Sequence, residues 1–379
     1  MNPIYLDYLS TTPVDPVVVE AMQTCFMTSG DFGNPSSQHV YGIAARNRVE
    51  TARAQVASLI HADPKEIIWT SGATESINLA LKGAAQFYQR QGKHIITMRT
   101  EHKAALDTCS YLASLGFDVT YLSPQKNGLL DLVELRDAIR HDTILASIMH
   151  VNNETGVIQD IAAIGAILRE KGVWFHVDAA QSVGKLSLDL RALPVDLMSL
   201  ASHKIYGPKG VGALFVRRHP RVQLIPQLHG GDQENGLRSG TLPTHQIVGM
   251  GMAYAIAEKN REEEMQRITA LRDRFEEKLA LIPGVAFNGD RQHRIGNCSN
   301  FSIDAVDGQR LLKSLGMLAI SQGSACNAVD PEPSHVLTAM GLSREEANRS
   351  FRFSMGRFTT EGEVDLAVQL LSQCLSRMK

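Results

Sequence analysis

The sequence predicts an α/β protein, with a large domain on a mainly parallel sheet and a smaller α+β domain after it. Two observations carry this. From about residue 60 to 217, short runs rich in Ile, Val and aromatic residues alternate with amphipathic stretches, the rhythm of strands joined by helical crossovers. Beyond that, a long charged segment with one apolar stripe leads into a region of mixed strand- and helix-like runs.

The strand candidates are Glu66–Trp69, His94–Met98, Asp118–Leu122, Ile144–His150, Trp174–Val177, Leu197–Leu200 and Gly212–Val216. Glu75–Ala85 and Asp160–Lys171 are helix-like separators. The last two runs are too close in sequence for a helical crossover, so they read as a hairpin or an antiparallel pair. Met265, Ile268, Leu271, Phe275, Leu279 and Ile282 recur every three or four residues and form the stripe of a long helix. After it come strand candidates at Asn300–Ile303, Leu318–Ser321 and Ser350–Ser354, and helix candidates at Gly308–Leu315, Ser334–Met340 and Glu361–Ser376.

The 379 residues suffice for two domains, and 44% apolar with 21% charged residues is ordinary for a globular chain. A formal net charge of -2 gives no reason to expect a nucleic-acid or anionic-membrane partner. No apolar run approaches membrane-spanning length, and Met1–Pro13 lacks the pattern of a secretory signal. The cysteines are Cys25, Cys109, Cys298, Cys326 and Cys374, an odd number with no CxxC pair. That fits a reducing cytoplasm and leaves at least one thiol free to react.

Three motifs carry chemistry. Ser71-Gly72-Ala73-Thr74-Glu75 follows a strand and opens a helix, where backbone N–H groups and the Thr74 hydroxyl can take an anion. A plain helix N-cap is the blander reading. P-loop and Rossmann glycine patterns are absent. In Trp174-Phe175-His176-Val177-Asp178-Ala179-Ala180-Gln181, Asp178 ends a buried strand, where open α/β sheets bind ligands. Buried there, it needs a partner such as a pyridinium nitrogen, or else it caps the next helix. In Ser202-His203-Lys204-Ile205-Tyr206-Gly207, Lys204 also follows a strand, and a desolvated lysine forms imines readily. An anion cradle, an acid and a lysine at strand ends on one face are the requirements of a pyridoxal-phosphate site.

With these residues in place, the sequence resembles cysteine desulfurases of the NifS/IscS type, within the class V aminotransferase superfamily. The resemblance runs from Tyr5-Leu6-Asp7-Tyr8 to Arg357-Phe358-Thr359-Thr360. Between them lie Phe32-Gly33-Asn34-Pro35-Ser36-Ser37, Thr100-Glu101-His102-Lys103, His150-Val151-Asn152-Asn153-Glu154, Arg238-Ser239-Gly240-Thr241 and Gly323-Ser324-Ala325-Cys326, all in family order. It implies a pyridoxal-phosphate-dependent transferase of fold type I, with residues 16–257 as the large cofactor-binding domain. Residues 1–15 and 258–379 would form the small domain, which carries the catalytic cysteine loop.

The resemblance also implies roles. Lys204 would hold the cofactor covalently, Asp178 its ring nitrogen and Gln181 its ring hydroxyl. Ala73, Thr74 and His203 match phosphate-binding positions, with Ala201 and Ser202 beside them, and Thr241 matches one reaching in from a neighbouring subunit of a homodimer. His102 matches an imidazole stacked on the ring, and Asn153 and Arg352 match positions near the substrate carboxylate. Cys326 lies between Gly323-Ser324 and Pro331-Glu332-Pro333, a composition that suggests an exposed, mobile loop. It would take sulfur from L-cysteine as a persulfide and pass it to an acceptor protein, such as an iron–sulfur scaffold. No metal is expected in isolation, with Cys326 available as a cluster ligand in a scaffold complex.

The chain also departs from the family. Ala201-Ser202 replaces Ser-Gly before the His-Lys pair, Leu9-Ser10 replaces a pair of small residues, and Gln322 replaces a Ser. Asn327-Ala328-Val329-Asp330-Pro331 stands where a Ser/Thr-rich stretch is usual. The sequence given ends at Lys379, short of the extension with which housekeeping members dock a scaffold protein. Rival readings are a selenocysteine lyase or another class V aminotransferase, and a non-catalytic paralogue. Cys326 argues against an aminotransferase, and the intact Lys204, Asp178 and His102 argue against a non-catalytic role.

Overall fold

The computed structural model describes residues 3–322 and 332–378, so Cys326 lies outside the described residues. The seven strands read from the sequence form one sheet: β2 (Ile67–Thr70), β3 (His94–Met98), β4 (Asp118–Leu122), β5 (Thr143–Met149), β6 (Trp174–Asp178), β7 (Leu197–Ala201) and β8 (Gly212–Val216). A short strand, β1 (Ile4–Tyr5), precedes them. The sheet order is β2-β8-β7-β6-β5-β3-β4. Every pair is parallel except β8, which runs against both β2 and β7, as the short β7–β8 spacing predicted. Two reversals restore direction, so β2, β6 and β7 end at the same edge of the sheet. Thr70 and Ala201 both pair with Gly212, which brings the ends of β2 and β7 together across one glycine. A Cβ at Gly212 would lie 2.6 Å from Gly72 Cα and 2.6 Å from Leu200 O, so the close approach requires glycine there.

Alternate residues of the strands face two helical layers. Ala146, Ile148, Ala213 and Phe215 join one core with α1 (Pro16–Gln23), α2 (Val40–Leu59) and α6 (Ile161–Glu170). Leu145, Leu214 and Val216 join the other with α3 (Ala73–Tyr88) and α4 (Lys103–Ser114). The short helix α5 (Leu132–Ala138) adds Leu135 to the first core.

The predicted stripe lies on a much longer helix, α7 (Thr244–Leu279), of 36 residues or about 54 Å. Ile247, Met250 and Tyr254 belong to the first core, whereas Ile268, Leu271, Phe275 and Leu279 belong to a separate one. This second core is built on β9 (Val285–Phe287), β10 (Cys298–Ile303) and β12 (Ser350–Ser354), an antiparallel sheet in the order β12-β10-β9. The strand expected over Leu318–Ser321 is shorter, β11 (Leu318–Ala319), and pairs in parallel with β1. Helices α8 (Gly308–Ser314) and α11 (Glu361–Met378) cover this core, while α9 (His335–Ala339) and α10 (Arg344–Asn348) form a small cluster of their own. Among the described residues no helix is long and apolar enough to cross a membrane.

Candidate active site

The shared edge of β2, β6 and β7 opens into a cavity of about 620 Å³. Its lining includes Ala73, Thr74, His102, Asn153, Asp178, Gln181, Ala201, His203, Lys204 and Arg352, which the sequence reading had named from separate motifs.

At one end stands the N-terminus of α3. Its cap, Gly72, has φ 151 and ψ 177, a conformation essentially confined to glycine, and makes no side-chain cap bond. The first-turn N–H groups of this 16-residue helix are therefore not capped by a side chain and can meet an anion. Glu75, in the same turn, is turned aside: it accepts from Ser71 N at 2.7 Å and from Arg238 Nε at 2.7 Å. His203 lines the cavity, with Nδ1 3.1 Å from Thr11 Oγ1. Burial, reinforced by Lys204, brings its pKa down to about 4, so it is a neutral imidazole.

At the centre, Lys204 Nζ donates to two backbone carbonyls, Leu9 O at 2.6 Å and Ser10 O at 2.7 Å. Burial and then Arg352 lower its pKa to about 8, which makes it a far better nucleophile and base than a surface lysine. Asp178 is buried and accepts one bond, from Ala180 N at 2.9 Å. Burial raises its affinity for a proton. His102 caps α4 by accepting from Ala104 N at Nδ1, 3.1 Å, so the neutral ring carries its proton on Nε2. Although the residue is partly open to solvent at the cavity, desolvation by the surrounding protein lowers its pKa as well.

Arg352 comes from β12, in the second core. Its Nη1 donates to Asn153 O at 2.6 Å, and Nη2 to Asp7 Oδ1 and Ser10 Oγ, each at 2.6 Å, and to Ser321 Oγ at 3.0 Å. Its Nε–H is buried without a partner. A rigid guanidinium with a spare buried donor suits a carboxylate.

Two of the named positions stand apart. Ser202 does not line the cavity: its hydroxyl is buried without a partner and packs on Gly207, where a Cβ would meet it at 2.0 Å. The turn after β7 sends alternate side chains to opposite sides, so Ala201 faces the cavity and Ser202 faces away. Ser202 therefore does not replace the hydroxyl missing at 201. Thr241 is exposed and lies off this chain's own cavity.

The sequence reading missed several groups around the site. Asp7 and Ser10 hold Arg352. Glu101, fully buried, accepts from Met149 N at 2.9 Å with its other oxygen unpartnered, and burial pushes its pKa well above the carboxylate range. Glu154 accepts from Ser334 Oγ at 2.5 Å, and His335 Nε2 lies 3.0 Å from Glu101 O. Lys185 bonds to Gln181, and burial beside Lys204 lowers its pKa to about 7. The four described cysteines are unpaired, and burial pushes Cys109 up to about 12 and Cys298 up to about 11, which keeps both as thiols.

The donor set fits pyridoxal phosphate. A desolvated lysine awaits a carbonyl, a buried carboxylate with one hydrogen bond awaits a cationic N–H, and an uncapped helix N-terminus awaits a phosphate.

Comparison with known proteins points the same way. Residues 4–367 match the family described as aminotransferase class-V. The whole chain is 57% identical to "Cysteine desulfurase IscS" of Pectobacterium atrosepticum, over 94% of that protein, and equally to the protein of that name in Escherichia coli. Among solved structures, a "NifS-like protein" superposes over 99% of this chain and 100% of its own, with TM-score 0.92 and 36% identity. "SspA in complex with cysteine" matches over 94% of this chain and 99% of its own, with TM-score 0.83 and 41% identity.

Proposed function

The chain belongs to the class-V aminotransferase family, and from that premise we propose that it is a pyridoxal-phosphate-dependent cysteine desulfurase that yields L-alanine and a persulfide on Cys326. The observation that carries this reading is the convergence of Lys204, Asp178 and Arg352 on one cavity, in a chain alike end to end to proteins named for this activity.

When bound, pyridoxal phosphate supplies an electron sink for the pair released at the substrate Cα. Asp178 would hold its ring nitrogen, Gln181 its ring oxygen, and the α3 N-terminus, Thr74 and His203 its phosphate. Lys204 attaches it and then, as a neutral amine, takes up the Cα proton. Arg352, with Asn153 beside it, holds the substrate carboxylate and so aims Cα at Lys204. His102 holds a proton on Nε2 over the same space. The thiolate of Cys326 attacks the substrate sulfur, an S–S bond forms and the C–S bond breaks. Its electron pair stays on Cβ, which takes a proton to become the methyl group of alanine.

The working unit is a homodimer in which Thr241 completes the partner's phosphate site. Support comes from the exposure of Thr241 and from the exposed apolar side chains Val17, Phe26, Met27, Phe32, Val40 and Tyr41 clustered in sequence. The protein works in the cytoplasm, where a persulfide carrier stays reduced, and hands sulfur to an acceptor protein such as an iron–sulfur scaffold. The test is borohydride reduction of the reconstituted protein, followed by peptide mapping and an assay with cysteine. The pyridoxyl group should map to Lys204, with alanine and sulfide appearing together in the presence of a reductant. A label on another lysine, or keto-acid transamination without sulfide, would refute the reading.

A further inference from the structure

We propose that Lys185 is a positioning residue that fixes the side-chain amide of Gln181, so that Gln181 meets a ligand in this cavity only as a hydrogen-bond donor. The inference rests on the reading of the cavity as a pyridoxal-phosphate site.

Lys185 stands four residues beyond Gln181 in the turns that follow β6. Its Nζ donates to Gln181 O at 3.1 Å and to Gln181 Oε1 at 3.3 Å. The backbone carbonyl has no proton to give, so the amine donates there in either protonation state. Oε1 is thereby taken. Nε2 donates to Leu9 O at 2.8 Å, which uses one of its two hydrogens and agrees with the amide orientation that Lys185 sets. The second hydrogen remains on a side chain that is buried and lines the cavity. Its natural acceptor is an anionic oxygen, which the ring of pyridoxal phosphate carries.

Leu9 O also accepts from Lys204 Nζ at 2.6 Å, so Lys185, Gln181, Leu9 and Lys204 form one chain of bonds. The titratable groups that interact with Lys185 through charge are Lys204, Cys298, Glu264, Arg352 and His203. Of these only Glu264 is a carboxylate, and it is held by Arg357 at 2.8 Å. Lys185 is thus not half of an ion pair. Its described polar partners are the two oxygens of Gln181.

The test is to titrate the colour of the bound chromophore with pH in the reconstituted parent, Lys185→Met, Gln181→Leu and the double variant. Loss of a fixed donor to the ring oxygen makes the chromophore hold its proton more tightly. The midpoint of Lys185→Met should rise by about one pH unit, the size of one hydrogen bond to a charged group. Gln181→Leu should rise too, the double variant should fall short of the sum, and Lys185→Arg should restore the parent value. An unmoved midpoint in Lys185→Met, or full additivity in the double variant, overturns the proposal. Should Lys185→Met fail to fold, Lys185→Ser, which admits water in place of the stem, carries the same comparison and the same two outcomes. A parent that develops no chromophore would instead overturn the cofactor reading, and this inference with it.

Discussion

The depressed pKa of Lys204 has a measurable consequence before any substrate is present. A group that titrates near 8 is about one-tenth neutral at pH 7, whereas one at the ordinary 10.5 is about 0.03% neutral. Lys204 therefore offers roughly 300-fold more free amine at neutral pH than an unperturbed lysine. The sign is fixed: a lowered lysine gains reactivity as pH rises and levels off above its own pKa. The rate of pyridoxal-phosphate capture by apo-protein, followed by absorbance in a stopped-flow instrument, should climb with pH and reach half its plateau near pH 8. Arg352→Gln removes a cation and frees Asp7, whose charge favours the ammonium form of Lys204. Both effects move the midpoint upward. Burial is the larger cause and remains, so the midpoint should stay below 10.5. A parent midpoint in the ordinary lysine range, or a downward shift in Arg352→Gln, would refute this account of Lys204.

Three further outcomes are expected. Cys326→Ala should still change the chromophore spectrum when cysteine is added but lose sulfide release with a reductant; near-normal turnover would remove Cys326 as the sulfur acceptor. Ala201→Ser should slow the loss of colour on dialysis against a carbonyl trap, because Ala201 faces the cavity while Ser202 does not; unchanged retention would mean that an ordered water already fills the role. Arg53→Met strands the buried Glu234 carboxylate, which accepts from both Arg53 Nη atoms at 2.7 and 2.8 Å and from Trp69 N at 2.8 Å; chemical denaturation should show a loss of about 3–5 kcal/mol. A loss below about 1 kcal/mol would show that Glu234 finds another partner.

The main sheet was legible because most of its strands are short runs rich in Ile, Val and aromatic residues separated by helix-like stretches, and the β7–β8 reversal followed from sequence distance alone. The pairing of β1 with β11 was not legible, since Ile4–Tyr5 and Leu318–Ala319 are two-residue strands from opposite ends of the chain. The same limit applies within the site. Lys204 and Asp178 stand in compact motifs at strand ends, whereas Asp7 and Ser10 serve Arg352 from 345 and 342 residues away. Lys185 could have been found, because its i+4 spacing from Gln181 within one run of turns is a local signal. Glu101 sits inside a recognised motif, but its burial depends on packing behind β5, which the motif does not encode. Whether Ser202 could replace the hydroxyl missing at 201 was not legible, because Ala201 ends β7 and Ser202 follows it directly, and the chain sends the two side chains to opposite sides.

Helix α7 joins the two cores without a loop. Its middle, Glu258–Arg267, has no buried residue, yet Glu264 holds Arg357, and Arg267 donates to the carbonyls of Gly356, Arg357 and Thr359. The span is therefore a braced strut and not a hinge. Lys204 is anchored to the core at one end of it and Arg352 to the core at the other, so the gap between these two side chains inherits the stiffness of a continuous hydrogen-bonded rod. Braced by these side-chain bonds, the backbone amides of its water-facing middle should resist hydrogen exchange longer than their exposure suggests.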